Sequence, residues 1–213
     1  MNKITAFEKG HEEFKRVKFK DNENRFKKLV AEGQSPKALF IGCSDSRVMP
    51  NMITSTNAGD LFIVRNIGNF VPPFKPDSDF HSTAAAIEYA TSVLEISDII
   101  VCGHSDCGAI KAVYQAPMAT AENIHTIKWL ELGDMAKETA IKALGEEPTK
   151  ELREYTEKVS VVYQLENLLT YPAVKRGVEE GKIFLHGWHY DLSTGDILYY
   201  DDEESLFKPL GER

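Results

Sequence analysis

The segment SDIIVCGHSDCG, residues 97–108, indicates the fold class of this chain. Residues 99–102 are continuously apolar, which is typical of a strand that is buried on both faces of a parallel sheet. The strand runs directly into a turn in which Gly103 and Gly108 flank a histidine and a cysteine, and glycine permits the tight backbone path that such a turn needs. In open α/β sheets, ligands bind at turns of this kind, beyond the carboxyl ends of the strands.

The segments around this strand alternate between strand and helix patterns. Apolar strands are predicted at residues 37–43 (KALFIGC), 60–66 (DLFIVRN) and within 182–201, where a turn at 193–196 makes a hairpin. Helical or amphipathic spacing is found at residues 4–17, 22–32, 80–94, 121–144 and 151–170. This order predicts an α/β fold with a mainly parallel central β-sheet, an antiparallel edge hairpin and helices on both faces. We expect a single domain, residues 1–213, in which residues 1–35 form an N-terminal helical arm.

The composition restricts the possible partners. The chain has 213 residues, of which 42% are hydrophobic and 27% charged, as in a soluble globular protein. A formal net charge of −8 argues against nucleic acid as a partner, because phosphate binding needs a basic surface. We also expect no membrane partner and a cytoplasmic location, since no apolar run approaches the roughly 20 residues of a membrane helix and the start lacks a signal peptide's apolar segment.

The three cysteines suit metal ligands or core residues better than a disulfide framework. Cys102 lies inside the predicted strand and is interpreted as a core residue. Cys43 ends one predicted strand, while His104 and Cys107 follow another, so these three side chains are expected to meet at the carboxyl edge of the sheet. Two thiolates and one imidazole are a typical zinc set, and three protein ligands leave a fourth tetrahedral position open for catalysis.

The motif CSDSR, residues 43–47, places an acid and a cation beside that open position. Asp45 could compete for the metal, and Arg47 could restrain its carboxylate with two parallel hydrogen bonds. A phosphate-binding thiolate loop does not fit, because its cysteine and arginine lie farther apart than they do in this chain. Either motif alone is more often an ordinary turn, but the two together at the ends of two strands favour a metal site.

These motifs resemble those of the β-class carbonic anhydrases, and the resemblance extends over most of the chain. It implies reversible hydration of CO2 to bicarbonate and a proton by attack of zinc-bound hydroxide, with one Zn²⁺ per chain on Cys43, His104 and Cys107. It also implies an Asp45–Arg47 dyad and self-association as a dimer or tetramer. The matching segments, in the family's order, are CSDSR, VRNIGN, AAIEYA, HSDCG and GWHYD.

Further residues place the chain in the plant-like subclass of the family that it resembles. In that subclass the substrate pocket uses a glutamine before the first strand, a phenylalanine on the second strand and a tyrosine on the following helix. Gln34, Phe62 and Tyr89 match those positions. The resemblance therefore implies that these three residues bind substrate, together with Gly108.

The other subclass of that family closes its zinc site with the aspartate and binds bicarbonate in a second pocket. That pocket needs a tryptophan three residues before the first cysteine, and this chain has Phe40 there. Arg65 fits another position of the pocket, but Phe40 is interpreted as an ordinary core residue. The open, water-bearing form of the site is therefore expected, with Asp45 a metal ligand in a closed state only.

Three alternative functions stay open. The nearest alternative is a hydrolase of CS2 or COS on the same scaffold, which the sequence does not exclude and which a narrowed substrate tunnel would indicate. A non-catalytic zinc protein, in which Asp45 locks the metal and a dimer senses bicarbonate or binds a partner, is disfavoured by the pocket residues. A thiol-dependent redox role for Cys43 is the third alternative. The histidines that could carry the product proton away are unassigned: His11, His81, His125, His186 and His189.

Overall fold

A computed structural model describes residues 4–77, 79–115, 118–147 and 149–211 of the chain. The chain forms two compact units, one up to Ser35 and the other from Pro36. The first unit is helical: α1 (Ile4–Phe14) continues into a π-helical turn (Lys15–Phe19), and α2 (Glu23–Glu32) ends before Gly33. Gly33 has a φ of +82°, a conformation that glycine adopts without strain. That the two units belong to a single domain stays a prediction.

The second unit is built around one β-sheet. In chain order its elements are β1 (Ala38–Cys43), α3 (Pro50–Ile53), β2 (Leu61–Asn66), α4 (Ser82–Ser92), β3 (Asp98–His104), α5 (Gly108–Gln115), α6 (Ile124–Leu130), α7 (Asp134–Leu144), α8 (Lys150–Leu168), α9 (Pro172–Glu179), β4 (Phe184–Tyr190), β5 (Ile197–Asp201) and β6 (Leu206–Pro209). Short 3₁₀ turns follow β2 and join α6 to α7. Across the described ranges, no helix is long and apolar enough to cross a membrane.

The sheet has the strand order β2-β1-β3-β4-β5-β6. β1 pairs in parallel with β2 and with β3, and β3 pairs in parallel with β4. β5 and β6 continue the sheet as antiparallel strands. The predicted α/β fold, with a mainly parallel sheet and an antiparallel edge, is therefore confirmed. The structure adds β6, which the sequence pattern did not indicate.

The central strands are continuously apolar because both of their faces are covered. Every residue of β1 is buried, and so is every residue of β3 except the first. On one face, Leu39 and Ile99 pack in a cluster with residues of α4, α8 and α9, including Val161. The opposite face carries Phe40 and Cys102. The interpretation of Cys102 as a core residue is confirmed, since it is fully buried.

The amphipathic stretch at residues 121–144 is divided at Gly133. A Cβ atom added there would lie 2.8 Å from Val113 Cγ2 and 3.1 Å from Phe70 Cζ, so glycine is needed for the chain to pass this close to α5. The break between α6 and α7 falls at this close approach. The sequence pattern also did not indicate α9. This helix begins at Pro172, and proline is common at the first position of a helix.

Candidate metal centre

The candidate metal centre lies where β1 and β3 end. These strands are parallel neighbours, so their carboxyl ends open onto the same edge of the sheet. β1 ends at Cys43 and β3 ends at His104, with Cys107 in the turn that follows. One potential ligand atom of each residue lies within 4.8 Å of the other two. All three residues are buried, with exposures of 5%, 1% and 1%. The structure thus brings together the three residues predicted as metal ligands.

His104 presents one free ring nitrogen to this cluster. Its Nδ1 lies 2.9 Å from the carbonyl oxygen of Ser105, and Nδ1 carries the proton because a carbonyl oxygen can only accept. Nε2 is buried and has no hydrogen-bond partner within the described part of the chain. A histidine binds metal through an unprotonated nitrogen while its other nitrogen donates to a carbonyl. The donor set of the cluster therefore fits a cation.

The turn between His104 and Cys107 aims both side chains at one point. Asp106, inside the turn, has a φ of +59°, a left-handed conformation that aspartate adopts more readily than most residues. α5 begins directly after the turn, and the backbone N–H groups of Ala109 and Ile110 act to lower the pKa of the Cys107 thiol. Since such N–H groups are free at a helix N-terminus, they stabilise negative charge on that sulfur.

Cys43 is held by two backbone N–H groups and by the second thiol. The ring of His104 and the N–H groups of Asp45 and Gly68 act to lower the pKa of the Cys43 thiol. The hydrogen bond between the two thiols lowers the pKa of Cys43. The same bond raises the pKa of Cys107, and burial acts in the same direction. The two thiols therefore shift each other's pKa in opposite directions, and a metal ion bound to both sulfurs would replace the hydrogen bond between them.

Gly68 lies in the motif VRNIGN, residues 64–69, and has a place in the site that the sequence pattern did not indicate. Its φ is +77°, and an added Cβ would lie 2.8 Å from Phe70 Cζ and 2.9 Å from Ala109 Cβ. We expect Gly68→Ala to lower the free energy of unfolding by about 2–3 kcal/mol, because the left-handed conformation costs part of this and the crowding adds the rest. Denaturant unfolding would measure the loss.

Gly195 provides the matched control for this substitution. It has a similar φ of +84°, but nothing lies within 4 Å of a Cβ added there. Gly195→Ala should therefore show only the conformational part of the loss, about 1–2 kcal/mol. Equal losses in the two variants would contradict the crowding at Gly68.

Asp45 and Arg47 form a two-pronged ion pair beside the cluster. Arg47 Nε donates to Asp45 Oδ1 at 2.9 Å, and Nη2 donates to Oδ2 at 2.8 Å. The backbone N–H of Arg47 also donates to Oδ1 at 2.9 Å. These hydrogen bonds hold the pKa of Asp45 well below its usual range. The carboxylate is therefore ionised at neutral pH.

Arg47 also links the two turns of the site. Its Nη1 donates to Asp106 Oδ2 at 3.1 Å, and Nη2 donates to the Asp106 carbonyl oxygen at 3.3 Å. Lys111 Nζ contacts the other carboxylate oxygen of Asp106. In the described part of the chain, Asp45 does not belong to the group of ligand atoms that lie within 4.8 Å of one another. Arg47 thus holds Asp45 next to the cluster and outside it.

Arg65 supports the backbone of the first turn, a role that the sequence did not suggest. Its Nε donates to the carbonyl oxygen of Cys43 at 3.0 Å, and Nη2 donates to that of Asp45 at 2.6 Å. Phe40, at the position of the second subclass's tryptophan, is fully buried. Its ring packs edge-on against Trp188, with the ring centroids 6.3 Å apart. The structure therefore places Phe40 in the core and Arg65 on the metal-ligand turn.

Phe62 and Tyr89 lie together but away from the cluster of the same chain. Their rings stack with centroids 5.9 Å apart. Phe62 pairs with Leu39 in the sheet, four residues before Asn66, which pairs with Cys43. At about 3.3 Å per residue, Phe62 is about 13 Å from the ligand end of its strand. Direct contact between this aromatic pair and the cluster of its own chain is therefore ruled out.

The other residues predicted to act in the reaction belong to different elements of the chain. Gly108 is the first residue of α5 and directly follows Cys107. Gln34 is exposed and belongs to the first unit, just after α2. Among the candidate proton carriers, His189 is buried, whereas His125 is exposed. The structure singles out no proton carrier among them.

Comparison with known sequences gives a consistent result. The profile of the family described as Carbonic anhydrase matches residues 38–197. The chain is 40% identical over 205 residues to a carbonic anhydrase of Pseudomonas aeruginosa. The aligned region covers 95% of this chain and 90% of that protein. It is 39% identical over 203 residues to Carbonic anhydrase 1 of Escherichia coli O157:H7. This alignment covers 94% of this chain and 90% of that protein.

Solved structures show the same architecture. The β-carbonic anhydrase CcaA superposes with a TM-score of 0.90 at 35% identity, over 99% of this chain and 93% of that one. A crystal structure from a study of two tetrameric β-carbonic anhydrases of the ascomycete Sordaria macrospora superposes with a TM-score of 0.79 at 28% identity. The superposition covers 99% of this chain and 98% of that one. The likeness thus includes both units of the present chain.

Proposed function

This chain belongs to the β-class carbonic anhydrases, which interconvert CO2 and bicarbonate, and we propose that it does so with a zinc ion on Cys43, His104 and Cys107. The observation that carries the proposal is the buried cluster of two sulfurs and one imidazole nitrogen. Thiolate and imidazole ligands favour zinc over magnesium or calcium, which prefer oxygen. When bound, zinc lowers the pKa of a water molecule, so that hydroxide is available to attack CO2 near neutral pH.

Asp45 is the residue to which we assign the orientation of the attacking oxygen. Its carboxylate is ionised, and an ionised carboxylate can only accept hydrogen bonds. By accepting a hydrogen bond from the attacking hydroxide, Asp45 would turn an oxygen lone pair toward CO2. Arg47 keeps the carboxylate in place, and Asp106 in turn fixes Arg47. This arrangement supports the open form of the site.

The charge of the ligands sets the pH range of the reaction. The thiolates of Cys43 and Cys107 would cancel the formal charge of a Zn²⁺ ion, so the reacting water would be harder to ionise than beside three neutral histidines. The backbone N–H groups on the two sulfurs withdraw some of that negative charge and offset part of the effect. The net result is a pKa of the reacting water above about 7.

We expect CO2 hydration to rise with pH between about pH 6.5 and 9, because the reacting water must be deprotonated and its pKa lies above about 7. Activity should be low below that pKa and reach a plateau above it. Stopped-flow measurements on protein of determined zinc content test this profile and the proposed function together. A flat profile would contradict the charge argument, and protein that binds no zinc would contradict the metal assignment.

Two other results would redirect the function. Zinc-loaded protein that is silent below about pH 8 and active above it would show that Asp45 closes the site at low pH. Zinc-loaded protein that is silent throughout would favour a bicarbonate sensor or a hydrolase of CS2 or COS. Activity of protein without metal would favour a reaction at the Cys43 thiol instead.

We also propose that two copies of the chain complete each site. Phe62 and Tyr89 suit the apolar wall of a CO2 pocket but lie too far from Cys43 of their own chain. Met52 and Ile67, which are 67% and 48% exposed, provide apolar surface for self-association as a dimer or tetramer. The related Sordaria macrospora enzymes are tetrameric. Sedimentation analysis would measure the oligomeric state.

Two further assignments complete the proposal. The side-chain amide of Gln34 would donate a hydrogen bond to an oxygen of CO2 or bicarbonate, and Gly108 would contact the same substrate from the start of α5. We place the protein in the cytoplasm, where bicarbonate supply or pH balance would use this reaction.

A further inference from the structure

A buried carboxylate lies behind the candidate metal ligand Cys107. Glu157, on α8, is 3% exposed, and its Oε1 accepts the backbone N–H of Cys107 at 3.0 Å. Its other oxygen, Oε2, lies 3.4 Å from Nε2 of His189, which is 4% exposed. The reaction proposed above uses neither Glu157 nor His189.

The close packing of α8 on the sheet brings Glu157 to this position. A Cβ atom at Gly103 would lie 2.7 Å from Val161 Cγ2, and one at Gly187 would lie 3.0 Å from Val161 Cγ1. Glycines at these two strand positions therefore allow the helix to approach. Glu157 precedes Val161 by about one helical turn, so its side chain reaches the turn that carries Cys107.

A carboxylate at such a position needs a physical reason. Taking an ionised carboxylate out of water is unfavourable unless hydrogen bonds offset the loss of hydration. Ser160 is also buried on α8, and its hydroxyl has no partner among the residues that the structure describes. Unlike the Ser160 hydroxyl, the Glu157 carboxyl group accepts a hydrogen bond from Cys107. This contact points to a role of Glu157 at the candidate metal ligand.

We propose, on the basis of the metal site proposed above, that Glu157 is a positioning residue for Cys107 and that His189 holds its second carboxylate oxygen. Glu157 then fixes Cys107 through its backbone N–H, and Cys107 directly precedes the first residue of α5. A ligand that is already fixed loses little conformational freedom when a cation binds. Glu157 thus slows the release of the metal.

The test is the rate at which the full-length, zinc-loaded protein gives up zinc to an excess of chelator. We expect E157A to release zinc about 10–100-fold faster than the unchanged protein, since the loss of a residue that orients a metal ligand weakens binding by about that factor. E157Q keeps an acceptor oxygen at the same place and should stay within about threefold of the unchanged protein. S160A is the matched control on the same helix and should release zinc at the unchanged rate.

A second readout separates the position of the ligand from general stability. With Co²⁺ in place of zinc, E157A should alter the near-ultraviolet absorption of the sulfur–cobalt bonds, whereas S160A should leave it unchanged. E157D keeps the carboxyl group but is one methylene shorter, so it should behave like E157A. It provides the same test if E157A does not fold.

Several results would overturn the role of Glu157. Zinc release from E157A or E157D at the unchanged rate would do so, and so would equally fast release from E157Q and E157A. Faster release from S160A would assign the effect to a loosened helix and overturn the proposal as well. If the unchanged protein binds no zinc, the metal assignment and the role of Glu157 fail together. If the unchanged protein binds zinc and is active, but E157A releases zinc at the unchanged rate, then only the role of Glu157 is rejected.

Discussion

The H104A variant is expected to hydrate CO2 at least about a thousandfold more slowly than the unchanged protein, because it loses the nucleophile that a metal supplies at neutral pH. His104 contributes the imidazole of the cluster, and its Nε2 is buried beside the sulfurs of Cys43 and Cys107. Two ligands are too few to hold a catalytic zinc ion. Zinc content and stopped-flow hydration would be measured on the same preparation.

H125A is the matched control for this loss. His125 is exposed on α6 and belongs to no group of potential metal ligands in the described ranges. H125A should therefore keep its zinc and its activity. Circular dichroism of both variants would show whether H104A has lost its metal or its fold. If H104A kept zinc and full activity, the reaction would have to take place elsewhere in the molecule.

The D45N variant is expected to lose about two orders of magnitude in kcat while it keeps its zinc, since a positioned acid–base group contributes about that much. The amide keeps the shape of Asp45, but it cannot hold the proton of the attacking oxygen as a carboxylate does. It also loses the charge that Arg47 grips with two hydrogen bonds. Hydration rates at saturating CO2, together with zinc content, would measure the effect.

R47A should lower activity by a different route. Without the guanidinium, Asp45 is free to move toward the cluster and close the fourth metal position. X-ray absorption on zinc-loaded R47A should then show an added oxygen ligand from the protein. Full activity of R47A would make the dyad hypothesis wrong, and loss of zinc from D45N would make Asp45 a true metal ligand.

The position of the cluster could be predicted from the sequence because it follows from the order of the strands. Cys43 and His104 each end a continuous apolar segment, and parallel neighbours end at the same edge of a sheet. The fold class followed from the same segments and is confirmed. The roles given to Asp45, Arg47 and the pocket residues stay predictions that the variants would test.

The residues that support the cluster could not be predicted in the same way. Arg65 and Glu157 reach the metal-ligand turns across 22 and 50 residues of chain. Such contacts depend on the distance between packed elements, and no local pattern encodes that distance. Gly103 and Gly187 are the signal that could have indicated one of them, because a glycine inside a buried strand often marks the close approach of another element.

The pairing of β3 with β4 bears on the order in which the protein assembles during folding. The two strands are neighbours in the sheet, but Asp98 and its partner Phe184 are more than eighty residues apart in the chain. Closing so long a loop requires a large loss of chain entropy before any contact compensates for it, so we expect β4 to dock late. Glu157 and His189 lie on α8 and on this late strand. If Cys43, His104 and Cys107 hold zinc as proposed, the ion would reach them before β4 docks, and completion of the fold would then slow its release.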